Sequence, residues 1–349
     1  MSKDLDLESA GSAQLRTGKI PIKLLQSTVL RLTGAHRSWV VTPSKAGLDF
    51  SAVRIGRRFL VVSADPVTGV SKDIGRYAVK VSANDVATSG HKPQFAESVI
   101  LLPEGSRSDD LMTVAQQIHE AAKESGISIL GGHTEVSPGL RHPIVMITVF
   151  SLVDRFVTSG DAKDGDIMLM TKTAGLEGTS ELAREFDFKP GTIANGTLSK
   201  ARRLIDKLDI SGEAVAAFRT GRAHAMHDCT EGGVLGAAFE MSLASGLGFS
   251  LDEKAIPIAP ETRAICRALS IDPLRLIGSG SLLVAVERGS EGEVEKALYR
   301  HCKVTRIGEF RKGERSMILK DGSEQAVKDA PEDELWRVLS RSRSLRKRL

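Results

Sequence analysis

Four aspartates stand where carboxylates can gather around a cation. Asp49 lies in Ala46-Gly47-Leu48-Asp49-Phe50-Ser51-Ala52-Val53, and Asp65 ends the apolar run Leu60-Val61-Val62-Ser63-Ala64. Asp85 sits in Ser82-Ala83-Asn84-Asp85-Val86-Ala87, and Asp228 follows Met226-His227 and precedes Cys229-Thr230-Glu231-Gly232-Gly233. An acid at the end of an apolar strand is costly to bury unpaired, and several together repel one another. A hard cation answers both problems, because Mg²⁺ takes one or two carboxylates, waters and phosphate oxygens. A nucleotide–Mg²⁺ site is therefore the natural use of Asp49, Asp65, Asp85 and Asp228 together. Each aspartate alone also fits a turn or a helix N-cap. Asp85 fits those roles least, since it falls inside a helical pattern on the side of Val81 and Thr88, and Asp is a poor helix-interior residue.

Two glycine-rich segments add anion-binding chemistry. Gly131-Gly132-His133-Thr134-Glu135 follows a strand-like run at 127–130. Paired glycines let backbone approach a phosphate, and their N–H groups can form a nest. Thr134 offers a hydroxyl, and His133 or Glu135 can do proton or metal work. Lys172-Thr173-Ala174-Gly175-Leu176-Glu177-Gly178-Thr179 follows a second strand-like run and opens a helix, an anion site in principle. It is not a Walker A loop, because GxxxxGK[ST] does not occur. For both segments a tight turn is the plain structural alternative. His227 and Cys229 flank Asp228, but no third group orients them as a nucleophile pair.

The elements that must carry these residues alternate along the chain. Helical spacing predicts helices over 22–32, 73–88 (with Asp73 as N-cap and Gly90 past its end), 109–124, 233–243, 261–269 and 291–301. Apolar β-type runs predict strands over 59–63 (closed by Asp65-Pro66), 95–102, 127–130, 144–153, 167–171, 223–227, 247–251, 282–286 and 304–310. Further helices precede Ala217. The polar stretch Thr158–Asp166 marks a boundary. The expected organisation is a flexible N-terminus (1–17), an N-terminal ATP-binding domain (18–157), a C-terminal domain (158–313) and an extension with a basic tail (314–349). The fold class expected is α/β, or α+β, in two halves.

Composition narrows the function. Of 349 residues, 41% are apolar and 26% charged, the balance of a water-soluble protein. Aromatic residues make up only 4%, too few for base-stacking platforms, so a nucleic-acid binder is not expected. The net charge of +4 owes much to Arg341, Arg343, Arg346, Lys347 and Arg348, read as a solvated tail. Cys229, Cys266 and Cys302 share no CxxC spacing, which points to a reducing compartment. The first residues have no signal-peptide core, and no run reaches the ~18 apolar residues of a membrane helix, so a cytoplasmic protein is expected.

In order along the chain, these segments resemble the superfamily of aminoimidazole ribonucleotide (AIR) synthetase, hydrogenase maturation factor HypE, thiamine-monophosphate kinase and selenophosphate synthetase. Ala46–Val53 is similar to its Gly-x-Asp-Asp-Ala-Ala-Val segment, and Asn84-Asp85-Val86-Ala87-Thr88-Ser89-Gly90-His91-Lys92-Pro93 to its Asn/Ser-Asp-Ile/Val-Ala-x-x-Gly-x-x-Pro helix. Gly131-Gly132-His133-Thr134 resembles GG[DEH][TS], His227–Gly233 resembles His-Asp-x-Thr-x-Gly-Gly, and Ser279-Gly280-Ser281-Leu282-Leu283 resembles a late Ser-Gly-Ser-Leu-Leu run. The resemblance implies a PurM-like two-domain fold whose N-terminal mixed sheet pairs with that of a second copy in a homodimer. It implies ATP near that interface on Asn84, Gly131, Gly132, Thr134, Lys172 and Gly175, and Mg²⁺ on Asp49, Asp65, Asp85 and Asp228. His133, Glu135 and Asp228 are the catalytic candidates. The implied activity is transfer of an ATP phosphate onto a carbonyl or amide oxygen of an unknown small-molecule or peptide-linked substrate. The alternative is a non-catalytic ATP-binding accessory of a metallocentre maturation complex. Two departures stand out. Leu48 replaces the first acid of the Asp-Asp pair, and the last cysteine is Cys302, where HypE ends in a cysteine.

Overall fold

Strand β6 (Ile144–Val153) shows why the first half folds as it does, since its residues alternate strictly between buried and half-buried positions. That alternation presents one face to a core and makes β6 an interior strand. A computed structural model describes residues 14–15, 17–68, 72–186 and 188–346, with side chains to 340. β6 lies in a six-stranded sheet with β1 (Val40–Thr42), β2 (Ser51–Ile55), β3 (Arg58–Val67), β4 (Phe95–Pro103) and β5 (Ser128–Ser137). The order is β1-β2-β3-β6-β4-β5, antiparallel except for the parallel β4–β5 pair. A short helix α1 (Ile22–Ser27) precedes the sheet. Helices α2 (Ile74–Ala87) and α3 (Ser108–Ser125) cover one face, placing Ala78, Val79, Val114 and Ile118 against Val61, Val145 and Ile147.

The second half is a seven-stranded sheet of β7 (Ile167–Thr171), β8 (Ala223–Asp228), β9 (Gly248–Asp252), β10 (Leu282–Val286), β11 (Val304–Arg311), β12 (Arg315–Ile318) and β13 (Glu324–Ala326). Its order is β13-β12-β9-β11-β7-β10-β8. β7 and β10 are buried along their whole length, because cores form on both faces. Met168 and Met170 join one core, and Ile167 and Leu169 the other. Around the sheet run α4 (Leu176–Glu185), α5 (Asn195–Arg202), α6 (Ser211–Arg219), α7 (Gly233–Ser245), α8 (Pro260–Leu269), α9 (Glu291–Leu298) and α10 (Glu334–Arg346). The result is the expected mixed α/β architecture in two sheets.

Several local expectations are corrected. Asp65-Pro66 does not close a strand, because β3 runs through it, with Pro66 opposite Met146 of β6. β2 pairs β3 only as far as Val62, so on that side Pro66 has no ladder bond to break. The glycine pair is no strand-end turn either, since β5 continues through it. At Gly132 (φ +147°) a Cβ would lie 1.7 Å from the Ser98 carbonyl oxygen of β4, so only glycine permits this parallel pairing. Asp73 is the residue before α2 but does not cap it, being left-handed (φ 57°) with its carboxylate paired to Arg184. The helix predicted over 22–32 breaks after Ser27 into a 3₁₀ turn, Val29–Arg31. The expected flexible N-terminus falls largely on residues 1–13 and 16, outside the described residues. So do Lys347 and Arg348 of the basic tail.

Candidate active site

The site forms where Asp228, the last residue of edge strand β8, meets the first half. Two of the other three aspartates arrive on β3 and α2, and Asp49 on the turn that enters β2. Gly47 (φ +86°) makes that turn possible, because a Cβ there would strike the Glu240 carbonyl oxygen of α7 at 2.3 Å. One ligand atom each from Asp49, His227 and Asp228 falls within 4.8 Å of the others. Asp85 accepts a 2.6 Å hydrogen bond from Ser63 Oγ. Burial first, then a hydrogen bond and charge from Asp65 and charge from Asp228 and Asp49, hold the Asp85 carboxyl well above the usual carboxylate range. Burial and then the Asp49 carboxylate likewise push Asp228 up, offset in part by His227. All four sequence-predicted metal aspartates therefore share one electrostatic neighbourhood.

Two groups organise this cluster: His227, which the sequence places beside Asp228 with no orienting partner in view, and Glu240, which the sequence analysis did not single out. His227 is buried, with Nδ1 paired to Asp49 and Nε2 3.0 Å from Glu240 Oε2. Burial alone would lower its pKa, but the Asp49 and Glu240 carboxylates raise it to about 10, so His227 is a bridging imidazolium. Burial pushes the Glu240 carboxyl up, but Lys19 and His227 more than offset it and bring it to about 2. The signal for Glu240 was present in the chain: it is the lone charged residue of α7, whose other residues are apolar or small. His227 serves as an orienting group, and Cys229 is fully buried beside it.

After these pairings, Asp49 Oδ2 and both carboxylate oxygens of Asp228 are buried without a hydrogen-bond partner. Orphaned, converging carboxylate oxygens are the donor set of a hard divalent cation. The residues present fit Mg²⁺, with Asp49 and Asp228 innermost and Asp65 and Asp85 beside them. A cavity of about 400 Å³ opens next to Asp49, lined among others by Ser44, Lys45, Ser51 and Ser63.

The remaining predicted residues divide. Asn84 does not face the cavity; its Nδ2 donates to the Leu208 carbonyl (2.8 Å) and its Oδ1 accepts from Ile210 N–H (3.2 Å). Each end of the amide makes one bond that joins the two halves. Lys172 is spent, because its ammonium donates to the Asp209 and Gly280 carbonyls and pairs with Glu213 Oε1, each at 2.8 Å. Gly175 precedes α4 in the left-handed region (φ 67°), packed near Leu276 and Thr262. Gly131, Gly132, His133, Thr134 and Glu135 all lie exposed on β5, where His133 Nε2 sits 3.0 Å from Glu135 Oε2. β5 is three strand spacings, about 14 Å, from β3, which carries Asp65.

A second acidic group borders the first. Glu177 and Glu181 lie one turn apart on α4, buried near Asp333 and Glu231. Burial, partly offset by Ser279, and then the Asp333 and Glu231 carboxylates raise Glu177 to about 7.

Comparison with known proteins agrees with this architecture. Residues 47–153 match the family model "AIR synthase related protein, N-terminal domain", and residues 163–320 match "AIR synthase related protein, C-terminal domain". The chain is 28% identical over 299 residues to a putative hydrogenase expression/formation protein of Methanocaldococcus jannaschii, covering 81% of this chain and 84% of that one. It is 30% identical over 242 residues to the carbamoyl dehydratase HypE of Escherichia coli, covering 68% and 69%. Among solved structures, a chain of a HypE–HypF complex superposes with a TM-score of 0.72 at 22% identity, covering 88% of this chain and 99% of that one. HypE in complex with ATP gives 0.64 at 22% identity, covering 92% and 98%. With both of its domains matched in order and a HypE relative aligned over two thirds of each chain, this protein belongs to the AIR synthase-related family.

Proposed function

We propose that this chain is a MgATP-dependent enzyme that directs a nucleotide phosphate onto a carbonyl or amide oxygen of its substrate, in the manner of the HypE-type maturation enzymes it is similar to. One observation carries the proposal: three buried carboxylate oxygens on Asp49 and Asp228 have no hydrogen-bond partner, and Asp65 and Asp85 stand beside them. The similarity to the carbamoyl dehydratase HypE of Escherichia coli, and the likeness of fold to a HypE solved in complex with ATP, support the same reading.

Bound at these aspartates, Mg²⁺ would supply charge neutralisation for the phosphates, the main need of phosphoryl transfer. The chain's own groups prepare the place. His227 and Glu240 fix Asp49, and Ser63 fixes one oxygen of Asp85. Burial of the cluster keeps water away from the charges. Catalysis of this type is mostly positioning, and the contacts around the aspartates are suited to it. The outer edge of β5 carries Gly131–Glu135 exposed, with Ile129, Leu130 and Val136 at 38–58% exposure. This exposed and partly apolar strand supports a second copy packing against it, and with it the homodimer.

The test is calorimetric titration of ATP into the protein with Mg²⁺ and with EDTA, for wild type, Asp49→Asn and Asp85→Asn. The expected result is Mg²⁺-dependent binding that weakens tenfold or more in each variant. Equal affinity in EDTA, or wild-type affinity in both variants, defeats the proposal.

A further inference from the structure

The segment before α1 and helix α10 meet at one residue beside this site. Glu231 Oε2 accepts from the Lys19 backbone N–H at 2.9 Å, and Glu231 Oε1 accepts from Trp336 Nε1 of α10 at 2.7 Å. Gly18 lies under the indole in the left-handed region (φ +113°), so close that a Cβ there would sit 2.9 Å from Trp336 Cδ1. The first turn of α10 is anchored on the same loop, since Asp333 Oδ2 accepts from Gly232 N–H at 2.6 Å. This clamp sets the direction of the Lys19 side chain. Its ammonium reaches Glu240 Oε1 at 3.0 Å and Oε2 at 3.3 Å, and Thr230 Oγ1 at 3.3 Å.

Lys19 thereby heads a continuous row of contacts, Lys19–Glu240–His227–Asp49, that ends on one of the four aspartates. Without Lys19, Glu240 Oε1 loses its cation while Glu240 remains mostly buried. Among the described residues, the one contact then left to hold that carboxylate is His227 Nε2, 3.0 Å from Oε2, so the imidazole is expected to shift with it. We propose that Lys19 is a positioning residue of the centre, fixing Asp49 through Glu240 and His227, and that Trp336 and Glu231 form the latch that holds Lys19 in place. Two surface features, the segment before α1 and helix α10, thus become parts of one site. The effect on turnover rests on the MgATP reading above; the placement of His227 does not.

The experiment uses full-length protein in two arms. In the first, selectively ¹⁵N-histidine-labelled protein is compared at one fixed pH as wild type, Lys19→Met, Lys19→Arg, Trp336→Phe and Lys19→Met/Trp336→Phe. His227→Gln assigns the signal. The His227 imidazole resonances are expected to move in Lys19→Met, to return toward wild type in Lys19→Arg, and to move in the same direction in Trp336→Phe. The double variant should move no further than Lys19→Met. In the second arm, ATP consumption by Lys19→Met should fall about tenfold to a hundredfold in kcat with KM for ATP within twofold, and Lys19→Arg should recover most of it. His227 signals that stay in place in folded Lys19→Met, checked by circular dichroism, overturn the positioning role. Signals that move in Lys19→Met but not in Trp336→Phe overturn the latch. Failure of wild type to bind ATP counts against the MgATP reading alone, and the histidine spectra still decide the place of Lys19.

Discussion

Replacing Asp228 with asparagine should stabilise the cation-free protein and abolish the stabilisation that Mg²⁺ gives. Asp228 is 1% exposed and neither of its carboxylate oxygens has a hydrogen-bond partner. Relieving an unpaired buried polar group is worth about 1–3 kcal/mol, and the asparagine amide can also donate to the orphaned Asp49 Oδ2. At roughly 2 °C per kcal/mol for a chain of this size, Tm in EDTA should rise by about 2–6 °C. Wild type in Mg²⁺ at a hundred times its Kd should gain about 2.7 kcal/mol, or roughly 5 °C, and the variant almost nothing. The folded-state pKa of Asp228 is raised, by burial first and then by Asp49. Its proton is therefore held in the folded state above the unfolded value, and the associated stability is lost as pH rises. The contrast should be measured near pH 8 by differential scanning fluorimetry or calorimetry, with EDTA and with Mg²⁺. A variant less stable than wild type in EDTA, or a wild type indifferent to Mg²⁺, refutes the reasoning that these oxygens wait for a cation.

Glu177 should give the fold a pH dependence of its own. With its pKa raised to about 7 from 4.5, the folded state keeps a proton the unfolded chain loses, so about 3 kcal/mol is lost as pH rises across that window. Denaturant midpoints from pH 4.5 to 8 should slope downward in wild type and flatten in Glu177→Gln; equal slopes reject the assignment. Asn84→Ala should lower stability by about 1–3 kcal/mol, because it strands the Leu208 carbonyl and Ile210 N–H. Its MgATP affinity, once corrected for folded fraction, should be unchanged, and a specific loss of affinity would restore Asn84 to the cofactor. Val136→Glu on the exposed β5 edge should shift sedimentation from dimer toward monomer, whereas an unchanged sedimentation profile would place the contact elsewhere.

The sequence revealed most where a residue's environment is local. β6, β7 and β10 were readable to the residue because an alternating or fully apolar run depends only on which faces are buried. The four aspartates were recognisable because a charge beside apolar strands requires a reason. Where the partner is distant in the chain, the sequence does not show it. Asn84 stood beside Asp85 in a motif, yet its amide turns to Leu208 and Ile210, more than 120 residues away. Lys172 followed a strand and preceded glycine, as a phosphate-binding lysine would, but Glu213 had already taken its charge. Lys19 lay near a polar stretch that looked loose, and only the fold brings it to Glu240. Pro66 and the Gly131-Gly132 pair were read as strand breakers because the position of a strand's neighbours, which decides whether they are tolerated, is a property of the sheet.

The seating of Phe218 on Gly90 has a mechanical consequence. A Cβ at Gly90 would sit 2.2 Å from the ring, so α6 of the second half rests directly on main chain of the first, and Asn84 rivets the same seam a turn and a half earlier on α2. A seam built this way cannot serve as a hinge without first unseating an aromatic ring and two buried amide bonds. Bending at the seam would therefore have to break these contacts first, so the two halves present the aspartates as one body.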